Sequence, residues 1–170
     1  MIFCKVIFAY FSAMKFISYM DCALELAHWS AQRGEVPVGA VLVSPNHKVV
    51  ASSGNRMREL NDPTAHAEIL VLRERCRQLE TSRLYGHDLY VTLEPCAMCA
   101  AAISMARIAR LYFGAEDPKS GGVEHGARIF SHRQTHHKPE VYSGLAAQES
   151  ADLLKNFFMK RRDNLRSSDE

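Results

Sequence analysis

Two short segments constrain this chain more than anything else in it: Thr64-Ala-His-Ala-Glu-Ile69 and Thr92-Leu-Glu-Pro-Cys-Ala-Met-Cys99. Each places metal-ligating side chains at the mouth of a predicted helix. Cys96 and Cys99 are three residues apart, about 300° around a helix, so both thiols face one side. His66 adds an imidazole. Two thiolates and one imidazole suit Zn²⁺, and three protein ligands leave a fourth position for water, the pattern of a catalytic zinc. Helix N-termini also favour the thiolate form.

Glu68 follows His66 by two residues, about 200° on a helix wall, so the two side chains would diverge there. They share one site only if it lies off the open N-terminal end of the helix, where Thr64 is expected to cap. A carboxylate beside a zinc-activated water can take its proton and hand it on. The competing readings are a closed structural zinc knuckle or a coincidental pair of cysteines, because a lone CxxC says little. His66, Glu68 and Pro95 together favour the catalytic reading.

The 170 residues suit one domain, and 47% hydrophobic with 24% charged residues is ordinary for a globular protein. Collagen-like, disordered and disulfide-dense classes are excluded. The cysteine count, 5, is odd. A reducing compartment fits that better than a disulfide framework, and Cys4, Cys22 and Cys76 read as small apolar filler. The formal net charge of +2 is too balanced for a generally basic surface. A polyanion site must therefore be local.

Residues 1–13 read as an N-terminal extension, from an upstream start codon, ahead of a domain over 14–162 and a polar tail over 163–170. The apolar run Val6 to Ala13 is far short of the roughly 20 residues that span a bilayer. An export signal is the minority reading, since no convincing small-x-small cleavage site follows.

The spacing of Phe16, Met20, Ala23, Leu24, Ala27 and Ala31 predicts a helix from about Lys15 to Gln32, ended by Gly34. A hairpin follows, Gly39 to Ser44 and Val49 to Ser52. Thr64 then caps a helix from Ala65 to about Leu79. Asp88 to Leu93 reads as a buried strand. Pro95 opens a helix to about Met105. Arg110 to Phe113 is a strand, Gly114 to Pro139 a long loop, Val141-Tyr142 a short strand, and Ala146 to about Arg162 a last helix. This alternation predicts a layered α/β domain with a mixed sheet.

H-x-E followed by P-C-x-x-C is the signature of zinc deaminases that act on nucleobases. The chain resembles the cytidine/deoxycytidylate deaminase superfamily, and within it the branch acting on tRNA adenosine. The matching runs include Gly34 to Val43, Asn55-Arg56, Asn61 to Ile69, Tyr90 to Ala100, Phe113 to Lys119, and Phe157-Phe158 before Arg161-Arg162. They extend over roughly Met14 to Arg162.

The resemblance implies a cytidine deaminase-like fold, a three-layer α/β/α sandwich around a mixed five-stranded sheet. It implies that His66, Cys96 and Cys99 bind one zinc per subunit and that Glu68 shuttles the proton. Asn55 would bind the target nucleoside, Asp117 and Lys119 the anticodon nucleotides, and Arg161 or Arg162 the RNA backbone. It further implies a cytoplasmic homodimer that converts the wobble adenosine in the anticodon stem-loop of an arginine tRNA to inosine, with no membrane partner. The chain departs from the family after Lys119, where Ser-Gly-Gly-Val-Glu-His125 stands in place of uniformly small residues.

Basic charge gathers late in the chain. Residues 119–138 carry Lys119, Arg128, Arg133 and Lys138 against Glu124, and residues 155–166 carry five bases against Asp163. Phosphate contacts and an ordinary solvated helix end account for this equally well. The histidines between 125 and 137 read as exposed loop residues rather than a second metal site. The motif alone leaves open a small-molecule deaminase acting on guanine, cytosine, cytidine or deoxycytidylate. A non-catalytic zinc-stabilised RNA-binding module has no need of Glu68.

Overall fold

The structure is a computed structural model that describes residues 18–166. The N-terminal extension over 1–13, Phe16 and the last four residues lie outside that range. Helix α1 spans Tyr19–Gln32. It begins later than the periodicity suggests because Ser18 captures the first turn. The Ser18 hydroxyl accepts the Asp21 N–H, and the Asp21 carboxylate accepts the Ser18 N–H at 2.8 Å. This reciprocal capping box satisfies two otherwise orphaned donors. The buried stripe is Met20, Ala23, Leu24 and Ala27, closed by Ser30 rather than the expected Ala31. Gly34 follows the C-cap Arg33 with φ of +75°, the left-handed turn that a residue without Cβ takes freely.

Strands β1 (Gly39–Val43) and β2 (Val49–Gly54) form the hairpin. Helix α2 (Ala67–Gln78) leads to β3 (Asp88–Leu93), and α3 (Ala97–Ala106) to β4 (Arg110–Ala115). The long loop contains a single 3₁₀ turn, Ile129–Ser131, before β5 (Glu140–Tyr142). Helix α4 (Ala147–Arg166) continues past the expected end at Arg162, into the segment read as a polar tail.

The sheet order is β2-β1-β3-β4-β5. β1 pairs antiparallel with β2 and β3, whereas β3, β4 and β5 run parallel. Helices α1 and α4 cover one face, and α2 and α3 the other. β1 is therefore buried along its whole length, which explains its unbroken apolar run. The larger core, with Leu42, Val91, Ile103 and Phe113, lies under α2 and α3. A smaller one joins Met20 and Ala23 of α1 to Val41 and Val43. The mixed five-stranded α/β/α sandwich is thus the observed architecture. Among the described residues, no helix is long and apolar enough to cross a membrane.

Two further helix starts differ from what the sequence suggests. The N-cap of α2 is His66, not Thr64. The Thr64 hydroxyl and N–H both bond Asp62 Oδ1, at 2.7 and 2.8 Å, so that hydroxyl is spent on the preceding turn. The N-cap of α3 is Cys96, and Pro95 stands just outside the helix.

The long loop is pinned to the core through its backbone. The Ser104 hydroxyl donates to the His137 carbonyl at 2.6 Å, and the Arg107 guanidinium to the His136 carbonyl at 2.9 Å. His132 and His137 contact backbone carbonyls in turn.

Candidate metal centre and substrate cavity

The N-terminal ends of α2 and α3 converge beyond the C-terminal end of β3. His66 and Cys96 cap the two helices with extended backbones, and Cys99 sits one turn into α3. The His66 Nδ1 lies 3.5 Å from Cys99 Sγ and 3.8 Å from Cys96 Sγ. One ligand atom from each of the three residues lies within 4.8 Å of the others. Among the described residues no other group of His, Cys, Asp and Glu is arranged to hold a metal ion. Of the later histidines, His125 bonds to Glu94, and His132 and His137 bond to backbone carbonyls.

The electrostatics suit a cation. The Cys96 thiol is drawn down to about 4, first by its hydrogen bond with Cys99, against burial, and then by His66. Cys99 is pushed up by sharing that hydrogen bond and by burial, and His66 is raised by Cys96. A proton shared within so close a donor set is what a metal ion displaces.

Glu68 occupies the second position of α2 and is 3% exposed. Because His66 is the cap rather than a residue of the helix wall, the two side chains do not diverge. Both line one cavity. Burial pushes the Glu68 carboxyl up. Its Oε2 is buried with no hydrogen-bond partner among the protein groups. A buried carboxyl oxygen without a partner costs about 1–3 kcal/mol unless a small polar group meets it. The donor set and this oxygen together fit a zinc ion with a water beside it.

Asn55 closes the other side. It is 4% exposed, and its Oδ1 accepts the N–H of Ala67 at 2.9 Å. Val36, Val38 and Leu93 supply apolar wall, and Asp117 stands at the same cavity. Asp117 Oδ1 accepts the N–H groups of Lys119 and Ser120 at 3.1 and 3.0 Å, which fixes the turn after β4. Lys119 does not line the cavity. It lies in an adjoining groove with Phe158, Arg161 and Arg162, and the two spaces share Asp117 and Ser120.

Glu94 also lines the cavity, and sequence reasoning assigned it nothing. Burial works to raise its carboxyl, yet hydrogen bonds from His125 and Asp117 hold it below the ordinary value. The available signal is an acid lodged between a buried strand and Pro95.

Residues 14–115 match the model of the cytidine and deoxycytidylate deaminase zinc-binding region. The chain belongs to this deaminase family. The deaminase is 60% identical over 144 residues to a tRNA-specific adenosine deaminase of Agrobacterium fabrum, covering 85% of this chain and 94% of that one. It superposes with a TM-score of 0.78, at 62% identity, on a solved structure from studies of A-to-I editing by tRNA:A34 deaminases, covering 80% of this chain and 98% of that one. A guanine deaminase of Nitrosomonas europaea shares the fold at 20% identity and a TM-score of 0.71, with 85% of each chain covered.

Proposed function

We propose that this deaminase hydrolyses the wobble adenosine of an arginine tRNA to inosine, as a cytoplasmic homodimer with one zinc per subunit. Its extensive identity to tRNA-specific adenosine deaminases supports the substrate class. The observation that carries RNA over a free base is structural. The cavity opens, past Asp117 and Ser120, onto a groove bearing Lys119, Arg161, Arg162 and the exposed ring of Phe158. A free base needs no phosphate contacts, whereas a splayed anticodon nucleotide brings its backbone and neighbouring bases with it.

His66, Cys96 and Cys99 would hold the zinc. When bound, zinc supplies a Lewis acid that makes a nearby water acidic near neutral pH. Glu68 is placed to take that water's proton through Oε2. The water oxygen bonds to C6 of the purine, Glu68 passes the proton to the ring nitrogen, and the C6–N bond then breaks. In that step Glu68 relays the proton of the new C6 hydroxyl to the amino group, so that ammonia departs and the C6 carbonyl of inosine forms. Asn55, held by Ala67, orients the nucleoside, and the apolar walls exclude other water. For the dimer, Met105, at 70% exposed, and the apolar side of α2 and α3 offer a face for a second copy.

The test is a product assay with zinc-loaded protein on an arginine tRNA with an ACG anticodon. Parallel reactions contain guanine, cytosine, cytidine, deoxycytidylate and adenosine. Inosine in the anticodon with the small molecules untouched is expected. Turnover of a small molecule with unchanged tRNA overturns the substrate class.

A further inference from the structure

Glu94 follows β3 directly, two residues ahead of Cys96, and its side chain is fully buried. Its Oε1 accepts three consecutive backbone N–H groups, from Val123, Glu124 and His125, at 3.1, 2.9 and 2.9 Å. Its Oε2 accepts the Asp117 N–H at 3.1 Å and meets the His125 Nδ1 at 2.7 Å. All these donors come from residues 117–125, the loop that supplies Asp117 and Ser120 to the cavity. A buried carboxylate persists only when its lone pairs are satisfied. This one is satisfied entirely by the loop that carries Asp117 and Ser120 to the cavity wall.

The loop is also shaped to receive it. A Cβ on Gly121 would lie 2.6 Å from Glu94 Oε1 and 2.5 Å from the Asp117 carbonyl, so only glycine lets the chain close over the carboxylate. Gly121 forms an antiparallel bridge with Cys96, and the Gly122 N–H donates to the Pro95 carbonyl at 2.8 Å. The wall is thereby clamped to the short segment that carries a thiol of the metal centre.

We propose that Glu94 is a positioning residue that sets where Asp117 and Ser120 stand at the cavity mouth, and so governs how the target nucleotide is accepted. This rests on the deamination reading above. Glu94 reaches the substrate through Asp117, whose own N–H it holds. His125 is the side-chain half of the same clamp. Loss of either loosens the wall while leaving His66, Cys96, Cys99 and Glu68 in place.

The experiment compares Glu94→Gln, His125→Ala and His125→Asn with wild type on an anticodon stem-loop. It reads kcat and KM separately, together with bound zinc. A hydrogen bond to a charged group is worth enough that Glu94→Gln should raise KM about tenfold or more, with zinc retained and kcat within about threefold. His125→Ala should raise KM about threefold. His125→Asn, whose amide can donate where Nδ1 did, should return it toward wild type. An unchanged KM in Glu94→Gln overturns the proposal. So does a joint fall of zinc content and kcat, which marks a merely structural carboxylate. If Glu94→Gln does not fold, equal KM for His125→Ala and wild type overturns it. Absence of wild-type turnover on the RNA sinks the tRNA reading separately, and the same KM ratios are then taken on whichever small molecule is turned over.

Discussion

Asn55 Oδ1 accepts the N–H of Ala67, the residue between His66 and Glu68, at 2.9 Å. One bond from the loop after β2 therefore fixes the first turn of α2 at the point where the His66 and Glu68 side chains emerge. His66 makes no side-chain cap bond of its own, so Asn55 does the capping for it. Asn55→Ala should leave a buried N–H unpaired and destabilise the protein by about 1–2 kcal/mol in denaturant unfolding. Activity should fall further than stability, because the imidazole and carboxylate lose their shared anchor. Unchanged stability would mean that another group takes over the Ala67 N–H.

Glu68→Gln keeps the shape of the side chain and removes its capacity to carry a proton. Bound zinc should stay at wild-type level in metal analysis. Turnover should fall by about 10²-fold or more, the usual contribution of a positioned acid–base group. Activity near wild type with zinc in place would remove Glu68 from its role.

Much of the candidate metal centre is legible in the sequence, because its spacing is local. Cys96 and Cys99 share a helix turn, and the demand that His66 and Glu68 share one site already points off the end of α2. The exact starts of α1 and α2 are less legible, since Ser18 and Asp62 decide them by competing for nearby backbone and side-chain groups. Glu94 is not legible as a positioning residue. Most of its donors are backbone N–H groups from 23 to 31 residues downstream, which leave no mark on residue type. The meeting of Lys119 with Arg161 and Arg162 likewise depends on α4 packing beside β4.

The His125–Glu94 pair gives stability a predictable pH dependence. The hydrogen bond to Glu94 raises the His125 imidazole above its ordinary value, with Glu116 and Glu124 adding attraction. The Glu116 carboxylate lies 3.9 Å from His125 Nε2. A raised folded-state value means that the contribution is complete below the unfolded value of about 6.5 and is lost as pH rises through the folded one. Glu94, held below its ordinary value, stays ionised throughout that window. The gap in Tm between wild type and His125→Ala should therefore be wider near about pH 6 than near about pH 9. A gap that widens toward alkaline pH would contradict the pairing.

Arg161→Ala and Arg162→Ala should weaken RNA binding without touching the zinc or Glu68. Each arginine that meets a phosphate should lower the slope of log affinity against log salt by about 1 on removal. KM for the anticodon stem-loop should rise, and kcat at saturation should hold. An unaltered salt slope in the double variant would place the RNA backbone elsewhere.

His66, Cys96 and Cys99 are expected to hold one zinc on which adenosine-to-inosine conversion at the wobble position depends. The direct measurement is titration of zinc into metal-stripped protein, with inosine in the tRNA anticodon quantified at each step by nucleoside-resolved mass spectrometry. Inosine formation should be absent without metal, rise in proportion to added zinc and saturate at one ion per chain. Full-rate inosine formation by the metal-free protein would rule out a zinc-dependent reaction, and saturation at one zinc per chain in His66→Ala with undiminished turnover would remove His66 from the ligand set.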